Sequence, residues 1–306
     1  MATTVPTPIY ASQSQVTDPG LFAARLDEIP DDLTSIKDAV NHLVYHYRHP
    51  ESDWAVHGIA PERIGEIDTR YAEHMLERLL TLNDTPLTEH RQPAERIVGC
   101  CRDFTVLFLS IARHKGIPAR MRVGFATYFQ PDWKLDHVVA EVWDAAGQRW
   151  RMVDAELGDG HIDPNDGARL DPLDLPRDRF ITGPQAWVSC RREEADPERF
   201  LVAPELDIPD TRGWPYLMHN VVHDLASLNM QEMLLWEAWG ILLRESAMLP
   251  DHLVLLDQVA SAAAGTDSTP DQLQELYERD EFRVPARVMS YSPAAPDIPV
   301  SVDIAR

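Results

Sequence analysis

Three residues of this sequence have the side chains that nucleophilic acyl chemistry requires, namely Cys101, His137 and Asp154. A thiol attacks a carbonyl only as its thiolate, and a helix N-terminus favours that anion through its unpaired N–H groups and its dipole. Cys101 comes directly after Gly99 and Cys100 and opens a stretch with helical spacing of apolar residues. It is therefore a candidate nucleophile, and its own backbone N–H could stabilise a developing oxyanion.

The cysteines also have a purely structural interpretation. The sequence contains three of them, Cys100, Cys101 and Cys190, and a free cysteine is more often a buried core residue than a nucleophile. Adjacent side chains diverge, so only one of Cys100 and Cys101 can point into a given site. An odd number of cysteines favours reduced thiols over a disulfide framework.

A hairpin would bring the histidine and the aspartate together. Residues 137–144 and 148–154 are predicted as two strands, which the short Asp-Ala-Ala-Gly turn at 144–147 joins into a hairpin. If the turn is symmetric about its two central alanines, the numbers of paired residues sum to 291, and His137 lies opposite Asp154. The carboxylate would then fix the ring tautomer and raise the basicity of the other ring nitrogen. A surface ion pair would give the same spacing.

The elements around these residues predict an α+β fold. Four apolar residues share one face of a helix from Cys101 to His114, and a glycine and a proline end it; the apolar residues are Phe104, Leu107, Phe108 and Ile111. Residues 119–129 alternate as a strand. We expect one domain over 1–306 with a catalytic core at about 90–160.

Further helices are expected on both sides of this core. They cover about 31–82, with helices at 33–47 and 68–82, and about 219–280, with helices over 219–248, 251–264 and 270–279. Residues 156–215 are rich in proline, aspartate and glycine, which predicts long loops with a few short elements. Loops of this length often form a lid or a binding wall.

Several short motifs together resemble the transglutaminase-like superfamily over about 70 residues. They are Gly-Cys-Cys-Arg-Asp-Phe at 99–104, Gly-Ile-Pro-Ala-Arg at 116–120, His137 with Glu141, and Trp-Arg-Met-Val-Asp at 150–154. In that family the cysteine opens a helix, the histidine begins a strand and the aspartate ends the next strand. These positions match Cys101, His137 and Asp154, and the motif selects Cys101 over Cys100. The resemblance implies a papain-like core, in which the nucleophile helix packs on an antiparallel sheet.

The resemblance also implies a covalent mechanism. His137 would take the proton from Cys101, and the sulfur would attack an amide or thioester carbonyl to form a thioester acyl-enzyme. An amine or water would then release the acyl group. The second donor of the oxyanion hole, beside the N–H of Cys101, is expected at Trp54 or Gln92.

Two departures from the family pattern concern the substrate. The family often has Ala-Trp after its histidine and Pro-Thr after its aspartate, whereas this sequence has Val138-Val139 and Ala155-Glu156. We therefore expect a small-molecule or peptide acyl donor, and an amine acceptor if the enzyme transfers the acyl group. A peptidase or amidase that uses water, and a binding protein without turnover, are the alternatives. The bacterial, stand-alone members of the family that form amides favour the first.

Composition excludes several other classes. The net charge is 28 − 50 = −22, which disfavours nucleic acid and anionic membranes as partners. No apolar run approaches the roughly 18 residues of a membrane helix. The first fifteen residues lack a basic start followed by an apolar stretch, so we expect no signal peptide and a cytoplasmic protein. The sequence does not indicate an oligomeric state.

No cofactor or metal is predicted. The sequence contains neither a G-x-G-x-x-G fingerprint nor a P-loop. Two histidine pairs have the i, i+4 spacing of metal ligands without a convincing third ligand, and three aspartates do not follow the order of an EF-hand loop. These residues are His42 with His46, His219 with His223, and Asp159, Asp163 and Asp166.

Overall fold

The computed structural model describes residues 8–48, 53–243, 250–265, 268–296 and 298–304. Helices and strands are interspersed along these ranges. The α-helices are α1 Ala23–Leu26, α2 Leu33–Asn41, α3 Ala72–Leu82, α4 Cys101–His114, α5 Gly183–Arg191, α6 Gly213–Leu228, α7 Pro250–Ala263 and α8 Pro270–Tyr277. The strands are β1 Val44–His46, β2 Ile97–Gly99, β3 Ala119–Ala126, β4 Lys134–Asp144, β5 Arg149–Val153, β6 Phe180–Thr182, β7 Phe200–Leu201, β8 Glu237–Ala238, β9 Arg287–Ser290 and β10 Val300–Asp303.

The described residues divide into two compact units. The first takes its residues from 1–121, 139–159 and 171–174, and the second from 122–138, 160–170 and 175–306. Strands β3 and β4 both run through the boundary, so each contributes residues to both units. The single domain expected over 1–306 stays a prediction.

Helix α4 lies at the centre of the first unit, and its bounds agree with the predicted ones. It contacts α2 and α3 as well as β1 and β2, and only its last residue is not buried. Gly116 follows the helix with a φ of 73°, a left-handed conformation that suits glycine at a helix end. Because the helix is buried, the position of its first residue, Cys101, is well fixed.

Strand β1 corrects the helix expected at 33–47. Helix α2 ends at Asn41, and residues 44–46 pair in parallel with β2, with Val44 opposite Ile97 and His46 opposite Gly99. The branched and aromatic side chains of Val44 and Tyr45 favour an extended backbone once a partner strand is present. The sequence pattern did not reveal that partner, because β2 lies about fifty residues further along the chain.

The hairpin of β4 and β5 forms with a register different from the predicted one. Asp144 pairs with Arg149 and Trp143 with Trp150, so the paired numbers sum to 293 rather than 291. The turn is longer than two residues: the Asp144 carboxylate accepts the N–H groups of Ala146 and Gly147. The predicted pairing across the turn is therefore wrong. A shift of two residues preserves the face on which each side chain lies.

The second unit contains most of the remaining helices. Strand β6 pairs with β3 antiparallel, β7 pairs with β4 in parallel, and α6 packs against α5, α7 and α8. Helix α5 and strand β6 lie within 156–215, where long loops with a few short elements were expected. The helical structure expected over 219–248 is observed up to Leu228, where α6 ends. The α-helix does not continue over 229–243, and residues 244–248 lie outside the described residues. Beyond α6, the two residues of β8 join a sheet with β9 and β10.

The observed elements confirm the α+β fold class. Across the chain the main sheet has the order β5-β4-β3-β6, and helices precede and follow it in sequence. Within the described ranges, no helix is both long and apolar enough to cross a membrane.

Candidate functional site

Cys101 is the first residue of α4. It is buried, with 6% of its surface exposed. Cys100 precedes it in an extended conformation at the N-cap position, and its N–H donates to Oδ2 of Asp103 at 2.8 Å. The first N–H groups of a helix have no partner within that helix. The N–H of Cys101 is therefore suited to an oxyanion, and the dipole of α4 favours its thiolate.

A buried ion pair holds the start of this helix. The Arg102 guanidinium donates to Oδ1 of Asp103 at 3.0 Å and to the carbonyl of Arg70 at 2.7 Å. Burial raises the pKa of Asp103, while Arg102 opposes that effect. A Cβ on Gly99 would lie 2.7 Å from Oδ2 of Asp103, so only glycine allows the close approach. These contacts fix the backbone around Cys101.

The other two cysteines are poor nucleophiles. A hydrogen bond with the Cys101 side chain lowers the pKa of Cys100. Burial and the Asp103 carboxylate raise it, and together they outweigh the hydrogen bond, so the pKa of Cys100 is raised overall. Burial raises the pKa of Cys190 to about 11. Since only the thiolate attacks, Cys100 and Cys190 are held as thiols near neutral pH.

Asp154 lies directly after β5 and is fully buried. Its Oδ1 accepts the N–H groups of Glu156 at 2.9 Å and Leu157 at 3.1 Å. Its own N–H donates to the carbonyl of Pro172 at 2.8 Å. Asp154 therefore organises the turn that follows β5, in addition to any role toward a histidine.

That turn brings a second carboxylate close to the cysteine. A carboxylate oxygen of Glu156 lies within 4.8 Å of Sγ of Cys101. The side chain of Asn41 donates to the carbonyl of Glu156 at 2.8 Å, which fixes the backbone from a second side. In the sequence analysis, Glu156 was noted only because the family often has threonine at this position.

His46 and Tyr47 complete the surroundings in the first unit. Nε2 of His46 lies 3.9 Å from Oε1 of Glu156, and its Nδ1 accepts the N–H of Arg48 at 3.1 Å. The N–H of Tyr47 donates to the carbonyl of Gly99 at 2.9 Å. Burial raises the pKa of the Tyr47 phenol well above its usual range. Sequence reasoning considered His46 only as a possible metal ligand with His42 and did not single out Tyr47, because it extended a helix over both.

His137 belongs to the second unit, where it lies on β4 and is 2% exposed. The rings of Phe129 and Tyr128 meet it edge-on, with centroids 5.0 and 6.1 Å away. Burial raises the pKa of the adjacent Asp136 to about 6, against hydrogen bonds from Tyr216 and Asn220. Aromatic walls restrict the orientation of His137. Its action on Cys101 stays a prediction.

The two expected oxyanion donors have different surroundings. Trp54 is partly buried, and its ring meets Tyr45 edge-on at 6.4 Å. Gln92 is exposed, and its N–H donates to Oε2 of Glu95 at 2.9 Å at the start of a short 3-10 turn. The role of each in an oxyanion hole stays a prediction.

The histidine pair on α6 is part of the core. The rings of His219 and His223 stack at 4.0 Å, and Nε2 of His223 lies 2.9 Å from the carbonyl oxygen of Glu237. Burial lowers the pKa of His219 to about 4, and burial also lowers the pKa of His223 well below its usual range. These are neutral imidazoles that pack against each other.

The three aspartates after β5 are paired with basic side chains: Asp159 lies 2.6 Å from Nζ of Lys37, and the other two contact an arginine. Arg179 contacts Oδ2 of Asp163 at 3.0 Å and Oδ2 of Asp166 at 2.5 Å. Asn165 donates to Asp163 as well, through its backbone and its side chain. Because a guanidinium occupies the space between these carboxylates, this loop is ordered by an ion pair.

Comparison with known proteins agrees with this description. Residues 70–155 match the family model of the transglutaminase-like superfamily. This segment is similar to the core of that superfamily. The match confirms the resemblance inferred from the sequence motifs and supports cysteine-based catalysis in general. No curated protein matches the chain.

One solved structure is similar at a low level. It is a proposed cysteine protease from Cytophaga hutchinsonii, with 16% sequence identity and a TM-score of 0.32. The alignment covers 56% of this chain, and the chain spans 44% of that protein.

Proposed function

We propose that this protein is a cysteine acyltransferase that forms an amide through a thioester on Cys101. The observation that carries the proposal is the position of Cys101 at the first residue of the buried helix α4, inside the segment that matches the transglutaminase-like model. A thiolate is favoured there, and the pKa values of Cys100 and Cys190 are raised.

His137 and Asp154 are the proposed base and orienting residue. His137 takes the thiol proton, the sulfur bonds to the acyl carbon, and the leaving group departs with that proton. The N–H of Cys101 binds the oxyanion, with Trp54 or Gln92 as the second donor. An amine then attacks the thioester and the thiol is restored. The burial of both proposed partners supports a role for them, because buried polar side chains are held in one orientation.

Transfer to an amine is favoured over hydrolysis by the burial of Cys101. A thiol that is 6% exposed meets little bulk water, so an acceptor has to be bound beside it. Hydrolysis by the same residues, as in a thiol peptidase or amidase, is the second candidate activity of the site. Transfer and hydrolysis differ in the acceptor, which is an amine in one case and water in the other. The reaction products show which acceptor was used.

The test uses p-nitrophenyl acetate as a general acyl donor. We expect a burst of nitrophenol equal to the enzyme concentration and an acetyl group on Cys101, located by peptide mass spectrometry. Cys101→Ala should lower the acylation rate by at least about 10³-fold. The matched variant Cys100→Ala should stay within about tenfold of the wild type.

Two results would contradict the proposal. One is an acetyl group on Cys100 or Cys190 in place of Cys101. The other is an equal rate of iodoacetamide labelling at Cys101 and Cys190, since an activated thiol reacts faster than one whose pKa is raised. Acetamide products in the presence of an amine support transfer, whereas acetate alone supports the hydrolase.

A further inference from the structure

Glu156 is an acidic residue at the place where the nucleophile must react. Its carboxylate oxygen lies within 4.8 Å of Sγ of Cys101, and its side chain is 14% exposed. Beside a thiolate, a carboxylate is unfavourable, because two like charges at this distance repel in a low-dielectric environment. Toward the thiolate itself, the Glu156 carboxylate therefore makes no favourable contribution in the first step.

The situation changes once the acyl-enzyme has formed. The sulfur of a thioester is uncharged, so the repulsion ends and the carboxylate faces an electrophilic carbon bonded to that sulfur. A cation that binds a carboxylate approaches to about 2.8 Å. An attacking atom must come within about 3 to 3.5 Å of the carbonyl carbon. One ammonium group between Glu156 and the thioester can satisfy both distances, that to the carboxylate and that to the carbonyl carbon.

The surroundings keep this carboxylate in place. The N–H of Glu156 donates to Asp154 at 2.9 Å, and its carbonyl accepts from Asn41 at 2.8 Å. Nε2 of His46 lies 3.9 Å from Oε1 of Glu156. Because Nδ1 of His46 accepts the N–H of Arg48, the proton of the neutral ring is on Nε2, which faces the carboxylate. These contacts hold the backbone of Glu156 in place within the first unit.

We propose that Glu156 selects primary amines as acceptors, by binding the cationic ammonium group and taking one of its protons. The inference rests on the proposed acyltransferase function and names its acceptor class. It follows from the juxtaposition of the Glu156 carboxylate and the Cys101 sulfur, together with the glutamate that stands where the family often has threonine.

The chemical step balances as follows. The ammonium gives one proton to the Glu156 carboxylate, and the nitrogen lone pair attacks the acyl carbon. The C–N bond forms and the C–S bond breaks, with the electron pair leaving on sulfur. A second proton from nitrogen passes to the sulfur and restores the thiol, and the third stays on the amide nitrogen. Glu156 then releases its proton to solvent.

The experiment compares a cationic and an uncharged nucleophile on the same acyl-enzyme. Wild-type protein and Glu156→Gln are acetylated with p-nitrophenyl acetate at pH 7. The acetyl group is then partitioned between water and either butylamine, which is a cation at this pH, or hydroxylamine, which is neutral. We expect Glu156→Gln to lower the rate with butylamine by about 10²-fold. The rate with hydroxylamine should change by less than about threefold.

Matched controls separate this inference from the proposed function. The exposed Glu62→Gln should match the wild type in the burst of nitrophenol and in the rates with both nucleophiles. An equal loss with butylamine and hydroxylamine, or no loss with either, would overturn the acceptor role and leave Cys101 catalysis intact. If wild-type Cys101 forms no thioester, the proposed function itself fails.

Discussion

Cys100 and Cys101 are neighbours in the chain, yet their surroundings differ in ways that matter for a thiol. Cys100 lies at the N-cap, and burial and the Asp103 carboxylate raise its pKa despite its hydrogen bond with Cys101. Cys101 lies one residue further, where the helix dipole acts most strongly on an anion. One step along the backbone thus separates a structural thiol from a candidate nucleophile.

Asp154 has two separable tasks, and two substitutions distinguish them. Asn in place of Asp154 keeps an Oδ1 that accepts the N–H groups of Glu156 and Leu157, but it removes the charge that would stabilise an imidazolium. We expect Asp154→Asn to lower the acylation rate by about 10² to 10⁴-fold and to leave the urea midpoint nearly unchanged.

Asp154→Ala removes both tasks. It should lower the acylation rate as far and also destabilise the fold by about 1 to 3 kcal/mol, because two buried N–H groups lose their acceptor. Acylation rates and urea unfolding curves of the two variants check this. If Asp154→Asn acylates as fast as the wild type, Asp154 only supports the turn.

At the scale of elements, local sequence patterns predicted a helix or strand correctly where its own residues carry the signal. The apolar stripe of α4 and its glycine end predicted its bounds, alternation predicted β3, and the short turn at 144–147 predicted the hairpin of β4 and β5. The few short elements expected within 156–215 were not located, because Pro184 at the start of α5 and the polar surroundings resemble a loop. The capping Thr182, whose side chain accepts the N–H of Gln185, was the signal that could have revealed this helix.

Helix α6 should make the stability of the protein sensitive to acid. Burial lowers the pKa of His219 from 6.5 to about 4. Between these values the unfolded chain binds a proton that the folded protein does not, so the free energy of unfolding falls as the pH drops from about 6.5 to 4. We expect His219 to account for about 2 kcal/mol of that loss.

Urea unfolding at pH 7.5 and 4.5 measures the effect. His219→Gln removes the titrating ring, and its loss of stability over this interval should be smaller than that of the wild type. The exposed His74→Gln serves as the control and should lose as much as the wild type. Equal losses in all three proteins would contradict the assignment.

At the scale of the whole molecule, charges far apart in sequence stabilise the second unit. Arg122 of β3 makes two hydrogen bonds to Asp224 of α6, at 3.0 and 2.8 Å, and one to the carbonyl of Ala263 on α7. Oδ1 of Asp224 also accepts the N–H of Val123. Both ionised side chains are buried, so the pair is sensitive to the loss of either partner.

Removing one partner should cost more than removing both. Asp224→Ala leaves a buried guanidinium without its counter-charge, and we expect a loss of about 3 to 5 kcal/mol in the free energy of unfolding. The double variant Arg122→Met, Asp224→Leu should lose less than that. The exposed pair of Arg283 and Asp280 is the control, since Asp280→Ala should cost less than about 1 kcal/mol. A double variant less stable than Asp224→Ala would refute this account.

The sequence alone determined the α+β class, the nucleophile helix and the three candidate residues Cys101, His137 and Asp154. Periodicity and helix ends are local properties, and the family motif is a set of spacings, so both can be read along the chain. The register of the hairpin could not be obtained in this way. It depends on the Asp144 side chain, which accepts two N–H groups inside the turn and lengthens it.

Only the tertiary structure decided what surrounds the cysteine. Strand β1 exists because β2 pairs with it, which brings His46 and Tyr47 beside the start of α4. The turn at Asp154 directs Glu156 toward Cys101, across 55 positions of sequence. Such contacts depend on pairing and packing between distant segments, whereas sequence patterns report mainly on neighbours. The chemistry of the candidate nucleophile was visible in the sequence, and the carboxylate that we propose selects its acceptor was not.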